Sequence, residues 1–236
     1  MKILYLDTKR GVSGDMVLRA LTGLTDDPSA IQNRIDDISS RIAGITGHSE
    51  DGHHRDHGHF HRSYSEVLKI IDDLQLDENA EKIAKAIYAV IAAAESKVHG
   101  SPLDDLHFHE VGRDQAIANI AGVALCIDKI KPDRIIYDVI CDGTGTVQCA
   151  HGTLSVPVPA VKAILDEYDI NYRQTDYEGE MVTPSGLAMV VGIGAVSGNE
   201  PEGEPIRCSE AVGARSVDSE GLKVYIYELR GIKYGY

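Results

Sequence analysis

The sequence predicts a single α/β or α+β domain in which a mixed sheet is flanked by helices. Short apolar runs such as Lys2 to Asp7 have the length of buried strands, whereas longer segments carry apolar residues at helical spacing. Clusters of glycine, serine and proline separate these two kinds of segment. The 236 residues are enough to bury one sizeable core, and the sequence shows no internal repeat. We therefore expect residues 1–236 to form one domain.

Composition and charge exclude several classes of function. The formal net charge of −14 repels phosphates and argues against nucleic-acid binding. No apolar run approaches the roughly 20 residues of a membrane span, and the N-terminal run is too short for a signal peptide. The four cysteines form no CxxC pair and indicate thiols in a reducing compartment. These features favour a cytoplasmic protein that binds cations or small molecules.

A strand–turn–helix unit opens the chain. Residues 11–15, GVSGD, follow the first apolar run and precede residues at helical spacing, so Ser13 and Gly14 would offer backbone N–H groups to an anion. Asp7 and Asp15 lie at the two ends of this turn, where they could hold a hard cation or accept a proton. The alternative is structural: Asp15 is a first-turn acid favoured by the helix dipole, and Asp7 caps the turn.

Three further helices are expected before residue 100. The first opens at Pro28 and carries a stripe of isoleucines on its buried face: Ile31, Ile35, Ile38 and Ile42. The second, through Leu74, begins at a capping box formed by Ser63 and Glu66. The third runs from about residue 78 to residue 99, with Asp77 as its cap and a glycine at its end.

The segment between the first two of these helices is rich in histidine. Residues 48–61, HSEDGHHRDHGHFH, hold six of the ten histidines of the chain. Neutral imidazole is a common ligand for nickel, zinc and copper. Because the segment has no apolar periodicity, we expect residues 46–62 to form a flexible metal-collecting loop, with a polar linker as the alternative. The candidate ligands in this loop are His53, His54, His57, His59 and His61.

A second candidate metal site follows in the sequence LHFHEVG. In an extended segment His107 and His109 project to the same face, and Glu110 is adjacent. Two imidazoles and a carboxylate are the ligand set of many metal sites that keep one position open. The same His-x-His pattern also occurs in ordinary strands. His151, beside a glycine, is either a further ligand or a turn residue.

The second half of the chain is expected to alternate helices and strands. A helix from about residue 115 to residue 130 precedes a strand at residues 133–141, and another helix spans about residues 159–168. Two strands are expected at about residues 207–214 and 222–229. Between that helix and these strands, Thr183 as N-cap and Pro184 as first residue predict a sharp helix start. Thr183, Ser185 and Gly186 either bind a phosphate or carboxylate there or only build the cap.

Several of these motifs, taken in order, resemble those of one known family. They cover nearly the whole chain, and the order makes the resemblance specific. The family is the LarC-type nickel-insertion protein of nickel-pincer nucleotide biosynthesis, and the likeness is to its N-terminal portion. The motifs are GVSGDM after Asp7, the His tract running into Arg62-Ser63-Tyr64, KVHG, HFHEVG, GTGTV with the later His151-Gly152 and Pro-Val-Pro, and VTPSG.

The resemblance implies a chemistry. Members of this family insert nickel into a pyridinium-3,5-bisthiocarboxylic acid mononucleotide in a CTP-dependent step, as cyclometallases or chelatases of the lyase class. Such an enzyme needs a nickel-collecting surface, sites for the nucleotide phosphate and a base for the carbon-bound proton. By resemblance, the His tract would collect nickel, residues 13–15 and 183–186 would hold phosphate, and Asp7 or Asp15 would take the proton.

The sequence departs from the family's pattern in three places. Residues 8–10, TKR, replace a small residue, Phe and Ser, and Gln115 and Asn119 replace two aspartates with neutral amides. Family members also continue into a C-terminal domain associated with CTP and a divalent cation, which a separate subunit would supply here. The alternatives are a non-catalytic nickel-binding or storage paralogue and a structural paralogue that binds no metal. The sequence leaves the oligomeric state open.

Overall fold

A computed structural model describes residues 1–46, 62–149, 152–213 and 220–229. Within these ranges the chain forms seven α-helices, a short 3-10 helix at Leu103–Asp105 and eleven strands. The helices are α1 (Gly14–Leu24), α2 (Pro28–Thr46), α3 (Tyr64–Asp73), α4 (Glu78–His99), α5 (Asp114–Ile130), α6 (Pro159–Glu167) and α7 (Pro184–Gly192). The strands are β1 (Lys2–Asp7), β2 (Arg62–Ser63), β3 (His107–Phe108), β4 (Arg134–Tyr137), β5 (Ile140–Thr144), β6 (Thr146–Cys149), β7 (Gly152–Ser155), β8 (Tyr172–Glu178), β9 (Val196–Ser197), β10 (Arg207–Ala211) and β11 (Leu222–Glu228).

The main sheet is mixed, as the sequence predicts. Its strands lie in the order β10-β11-β1-β4-β9, with β1 antiparallel to β11 and parallel to β4. Alternation along β1 divides its side chains between the two faces. Leu4 and Leu6 join the large core with the helices, whereas Ile3 and Tyr5 belong to a small cluster that includes Tyr227. The predicted fold class is confirmed.

Local sequence signals explain most of the helix boundaries. The isoleucine stripe of α2 is buried, as expected. At the start of α3 the Ser63 hydroxyl accepts a hydrogen bond from the backbone N–H of Glu66 at 3.2 Å, and the Glu66 carboxylate accepts one from the backbone N–H of Ser63 at 2.7 Å. Gly100 closes α4 with a left-handed φ of 63°. One cap differs: Asp77 precedes α4 but makes no side-chain cap hydrogen bond, and its carboxylate lies 3.5 Å from Lys129 Nζ.

The single strand expected at residues 133–141 is two strands, β4 and β5. Between them, two backbone carbonyls accept hydrogen bonds from side chains. The Thr8 hydroxyl donates to the carbonyl of Val139 at 2.8 Å, and the Asn171 amide donates to that of Asp138 at 2.7 Å. The chain therefore leaves the main sheet here, and β5 pairs in parallel with β8. Among the described residues, none of the helices combines the length and the apolar character that crossing a bilayer requires.

Candidate functional site

The starts of α1 and α7 lie side by side. Val12 and Val182 form a parallel β-bridge. The backbone N–H of Val12 donates to the carbonyl of Met181 at 2.9 Å, and the backbone N–H of Thr183 donates to the carbonyl of Val12 at 3.0 Å. We call residues 11–14 and 181–186 the paired helix starts. The two turns that the sequence offers separately as anion sites are thus neighbours in space.

Hydroxyl caps and glycines build the paired helix starts. Ser13 accepts a hydrogen bond from the first turn of α1, and Thr183 accepts one from the backbone N–H of Gly186 at 3.1 Å. Gly11 has a φ of +84°, and a Cβ there would lie 2.2 Å from the carbonyl oxygen of Met181. A Cβ on Gly186 would lie 2.5 Å from the carbonyl oxygen of Val12. Only glycine allows the two backbones to approach this closely.

A buried carboxylate fixes the second of these starts. Asp142 is fully buried in β5, and its Oδ1 accepts hydrogen bonds from the backbone N–H groups of Gly143, Met181 and Val182 at 2.8, 2.9 and 3.0 Å. The Tyr172 hydroxyl donates to its Oδ2 at 3.3 Å. Burial, and then the adjacent Asp142 carboxylate, raise the pKa of Tyr172. Sequence reasoning missed Asp142, because its segment has only the pattern of a glycine-rich strand.

A cavity of about 380 Å³ opens beside α7. Its apolar wall is formed mainly by Val98 of α4, Val147 and Leu154 of the β6–β7 hairpin, and Val158 before α6. Its polar groups come from three separate segments of the chain: Glu95 and His99 of α4, His109 and Glu110 after β3, and Glu180, Thr183 and Ser185 around the start of α7. The cavity therefore combines an apolar surface with imidazoles, carboxylates and hydroxyls.

Two buried side chains hold the segment that carries His109 and Glu110. The Arg62 guanidinium donates to the carbonyl of Gly112 at 2.8 Å and lies 2.5 Å from Asp114 Oδ1, as an ion pair rather than an aligned hydrogen bond. The Tyr88 hydroxyl donates to the carbonyl of Val111 at 2.9 Å. Burial raises the pKa of this hydroxyl, which keeps it a neutral donor. The segment thus has a fixed path along the cavity.

An imidazole pair faces the cavity from α4 and from the segment after β3. The ring centroids of His99 and His109 are 6.1 Å apart, at an interplanar angle of 44°. His99 Nε2 lies 3.2 Å from Oε2 of Glu95, one helical turn earlier. The sequence motif containing His99 contributed to the family resemblance, but neither His99 nor Glu95 belonged to the predicted metal ligands. A histidine four residues after a glutamate at a helix end was the signal available.

The structure places the predicted ligands His107 and His109 in different surroundings. His107 pairs with Ser63 in the β2–β3 ladder, and its charge contributes to lowering the pKa of Glu66, after the larger effect of the hydrogen bonds from Ser63. Phe108 is buried between Tyr64 and Tyr88, at centroid distances of 6.0 and 6.1 Å. His109 and Glu110 line the cavity, whereas His107 is not part of its lining.

The predicted acids Asp7 and Asp15 lie outside the cavity lining. Asp15 is exposed in the first turn of α1 and pairs with Arg19 at 2.7 Å. Asp7 ends β1, and its carboxylate accepts from the backbone N–H of Lys9 at 3.3 Å. Of the predicted anion-binding residues, Thr183 and Ser185 line the cavity, and Ser13 and Gly14 pack behind them against Gly186 and Ser185.

The two amides that replace family aspartates bond to each other. Gln115 Nε2 donates to Asn119 Oδ1 at 2.8 Å across one turn of α5. Ala116, between them in sequence, lines the cavity. A neutral amide pair therefore stands next to the site where the resemblance implies two carboxylates.

The remaining predicted metal ligands fall outside the described residues. These are His53, His54, His57, His59 and His61, within the loop predicted at residues 46–62, and His151. Inside the ranges that the structure describes, no group of three or more His, Cys, Asp or Glu side chains is arranged to hold a metal ion.

Comparison with known proteins decides the family. Residues 4–233 match the family of nickel insertion proteins. The chain belongs to this family. A nickel insertion protein from Acetivibrio thermocellus, named for pyridinium-3,5-bisthiocarboxylic acid mononucleotide, is 37% identical over 219 residues, which cover 85% of this chain and 54% of that protein. A putative nickel insertion protein from Methanococcoides burtonii is 34% identical over 240 residues, 98% of this chain and 60% of the relative.

The family expected from the ordered motifs is therefore confirmed. This chain spans between half and two thirds of the length of the nickel insertion proteins that it matches. No solved structure matches it.

Proposed function

We propose that this chain performs the metal-handling part of nickel insertion into pyridinium-3,5-bisthiocarboxylic acid mononucleotide. The observation that carries the proposal is the cavity in which imidazoles and carboxylates meet the start of α7. Nickel(II), a borderline-soft ion, is well served by imidazole and carboxylate. Relatives that align with 80–85% of this chain, at 34–37% identity, are named for the same insertion.

The cavity suits each part of such a substrate. Its volume of about 380 Å³ lies within the range of small-molecule sites. The apolar wall can cover the faces of an aromatic ring, and the carboxylates of Glu95, Glu110 and Glu180 favour a cationic pyridinium and a metal cation. The hydroxyls of Thr183 and Ser185, which line the cavity at the start of α7, would bind the phosphate, together with the backbone N–H of Ser185.

The insertion step needs a proton acceptor but no redox partner. The electron pair of the ring C–H bond forms the nickel–carbon bond, the proton leaves, and the two thiocarboxylate sulfurs supply the other bonds to nickel(II). We assign the role of proton acceptor to Glu110 or Glu180, which line the cavity on two different segments, and a positioning role to Glu95, which contacts His99. Asp7 and Asp15, the acceptors predicted from the sequence, remain the competing assignment.

Two parts of the proposal rest on the family resemblance. The histidines of residues 48–61, with His151, would collect nickel and pass it to the cavity, where His109 and Glu110 would receive it. CTP and its divalent cation would be bound by a further domain.

An insertion assay tests the proposal. The full chain is incubated with Ni²⁺, the pincer mononucleotide, Mg-CTP and the C-terminal portion of a full-length relative, and the nickel-bound nucleotide is followed by absorbance and mass spectrometry. We expect Glu180→Gln or Glu110→Gln to slow product formation by about a hundred-fold. Glu78→Gln, on the exposed first turn of α4, is the matched control.

Two outcomes would contradict these assignments. Loss of product in Asp7→Asn or Asp15→Asn, with both cavity glutamates replaceable, would restore the acceptors predicted from the sequence. Tight nickel binding without product under any condition would favour the second candidate, a non-catalytic nickel-binding protein. The Gln115–Asn119 amide pair beside the cavity is the observation that supports that candidate.

A further inference from the structure

We propose that His99 and His109 together form a two-ligand nickel site in the cavity, with Glu95 orienting His99. The inference rests on the proposed function and assigns the position that nickel occupies before transfer. It changes the ligand set predicted from the sequence, because His99 and Glu95 enter it.

The spacing of the two rings is compatible with one shared ion. Metal–nitrogen bonds of about 2.1 Å place each ring centre roughly 3.2 Å from the ion, so the two centres lie at most roughly 6.4 Å apart. The observed centroid separation of His99 and His109 is 6.1 Å. The observed positions of the two rings therefore allow both to bind one ion.

Glu95 contacts the ring of His99. Its Oε2 lies 3.2 Å from Nε2 of His99, where the carboxylate can accept a hydrogen bond from a proton on Nε2. A carboxylate behind a ligating histidine fixes the ring orientation and increases its basicity as a ligand. The Glu95–His99 pair spans one turn of α4, which sets this geometry within a single helix.

A site with only two protein ligands favours transfer of the nickel ion to the substrate over its retention by the protein. The described residues hold no group of three or more His, Cys, Asp or Glu arranged for a metal. An ion held by two imidazoles keeps positions open for the two sulfurs and the ring carbon of the substrate. Because sulfur is a soft ligand that binds nickel strongly, the substrate can draw the ion away from the imidazoles.

Nickel binding to the full chain tests this site separately from insertion. The six histidines of residues 48–61 are first replaced by glutamine, so that their binding does not obscure the cavity. In this background, calorimetric titration with Ni²⁺ and the visible spectrum of bound Co²⁺ are measured for His99→Ala, His109→Ala, the double variant and Glu95→Gln. Lys97→Ala, on the same helix but outside the cavity lining, is the matched control.

The expected pattern identifies a shared ion. Each histidine variant weakens the tightest Ni²⁺ binding by about ten-fold or more, Glu95→Gln weakens it by about ten-fold, and Lys97→Ala leaves it unchanged. The double variant loses little more than the single variants, because one ion is lost in each case. The Co²⁺ spectrum shows loss of nitrogen ligation in both single variants.

Other results would overturn the site. Unchanged binding in the double variant excludes it, and loss of binding in His107→Ala with His99→Ala unaffected restores the ligand set predicted from the sequence. The insertion assay separates this failure from failure of the proposed function. Full insertion by the double variant rejects the site alone, whereas a parent chain that binds nickel through His99 and His109 but never forms product rejects the proposed function alone.

Discussion

The starts of α1 and α7 carry the same kind of sequence. Each has a valine, then a hydroxyl cap, Ser13 or Thr183, and then small residues. Yet the α7 start is held by Asp142 and turns Thr183 and Ser185 toward the cavity, whereas the α1 start supports it from behind. The contrast shows that a local motif sets the backbone conformation, while distant contacts decide whether it can meet a ligand.

The largest expected effect is on stability, and it comes from removing the carboxylate of Asp142, which holds the start of α7 but not that of α1. Asp142→Ala removes a buried acceptor from three backbone N–H groups. We expect it to lower the free energy of unfolding by about 3–5 kcal/mol, because buried donors are left unpaired. Urea denaturation measures the change. Asp15→Ala, at the exposed start of α1, is the control and should cost about 0.5 kcal/mol or less; similar losses in both variants would remove the contrast.

The close approach of the two starts is tested by adding one methyl group. Gly186→Ala places a Cβ 2.5 Å from the carbonyl oxygen of Val12 and should cost about 1–3 kcal/mol of stability. In Gly44→Ala, the control, the Cβ in α2 meets nothing within 4 Å, and the helix should gain about 0.5–1 kcal/mol. Thermal unfolding distinguishes the expected loss of stability in Gly186→Ala from the expected gain in Gly44→Ala. An equal stabilisation of both variants would mean that the starts are not in contact.

The two caps should differ in ligand binding more than in stability. Thr183→Ala and Ser13→Ala each remove one cap hydrogen bond, so each should cost about 1 kcal/mol in denaturant unfolding. Calorimetric titration with the pincer mononucleotide should show the larger loss of affinity for Thr183→Ala, because only Thr183 lines the cavity. An equal loss for Ser13→Ala would place both starts in contact with the ligand.

The smallest expected effect is on the stability contributed by a third helix start, that of α3, and this contribution depends on pH. Hydrogen bonds from Ser63 lower the pKa of the exposed Glu66 carboxylate below its ordinary value of 4.5. The folded chain therefore prefers the ionised form, so this stabilisation is complete above that value and is lost as the pH falls through the lowered pKa. The free energies of unfolding of the parent chain and of Glu66→Gln, measured in urea, should converge at acid pH. A difference in stability between the two chains that does not change with pH would show that the lowered pKa of Glu66 is not its cause.

The sequence predicted those features that depend on neighbouring residues. The capping box at Ser63, the cap at Thr183 and the isoleucine stripe of α2 each arise within a few positions of the chain. The mixed sheet followed from the same periodicities, and the ordered motifs gave the family. Local spacing carried the caps and the isoleucine stripe, whereas the family came from the resemblance of the ordered motifs to a known family.

The cavity could not be predicted in the same way. His99 meets His109 only because α4 lies beside the segment that Arg62 and Tyr88 hold in place. His107 and His109 likewise differ in their surroundings because β3 ends at Phe108, so the alternation of an extended strand does not reach His109. Asp142 acts on a segment far along the chain, and no spacing in its own neighbourhood indicates this.

The bridge between Val12 and Val182 also bears on the order of folding. It joins segments that most of the chain separates, and β1 similarly pairs with β11 near the other end. Contacts of this kind form late, because the entropy of closing the intervening chain opposes them until other structure is in place. In refolding followed by hydrogen exchange, the amides of Val12 and Thr183 should gain protection after those of α4. A chain still being synthesised thus exposes His99 and His109 before the α7 side of the cavity exists, so the cavity is complete only after that segment has been translated.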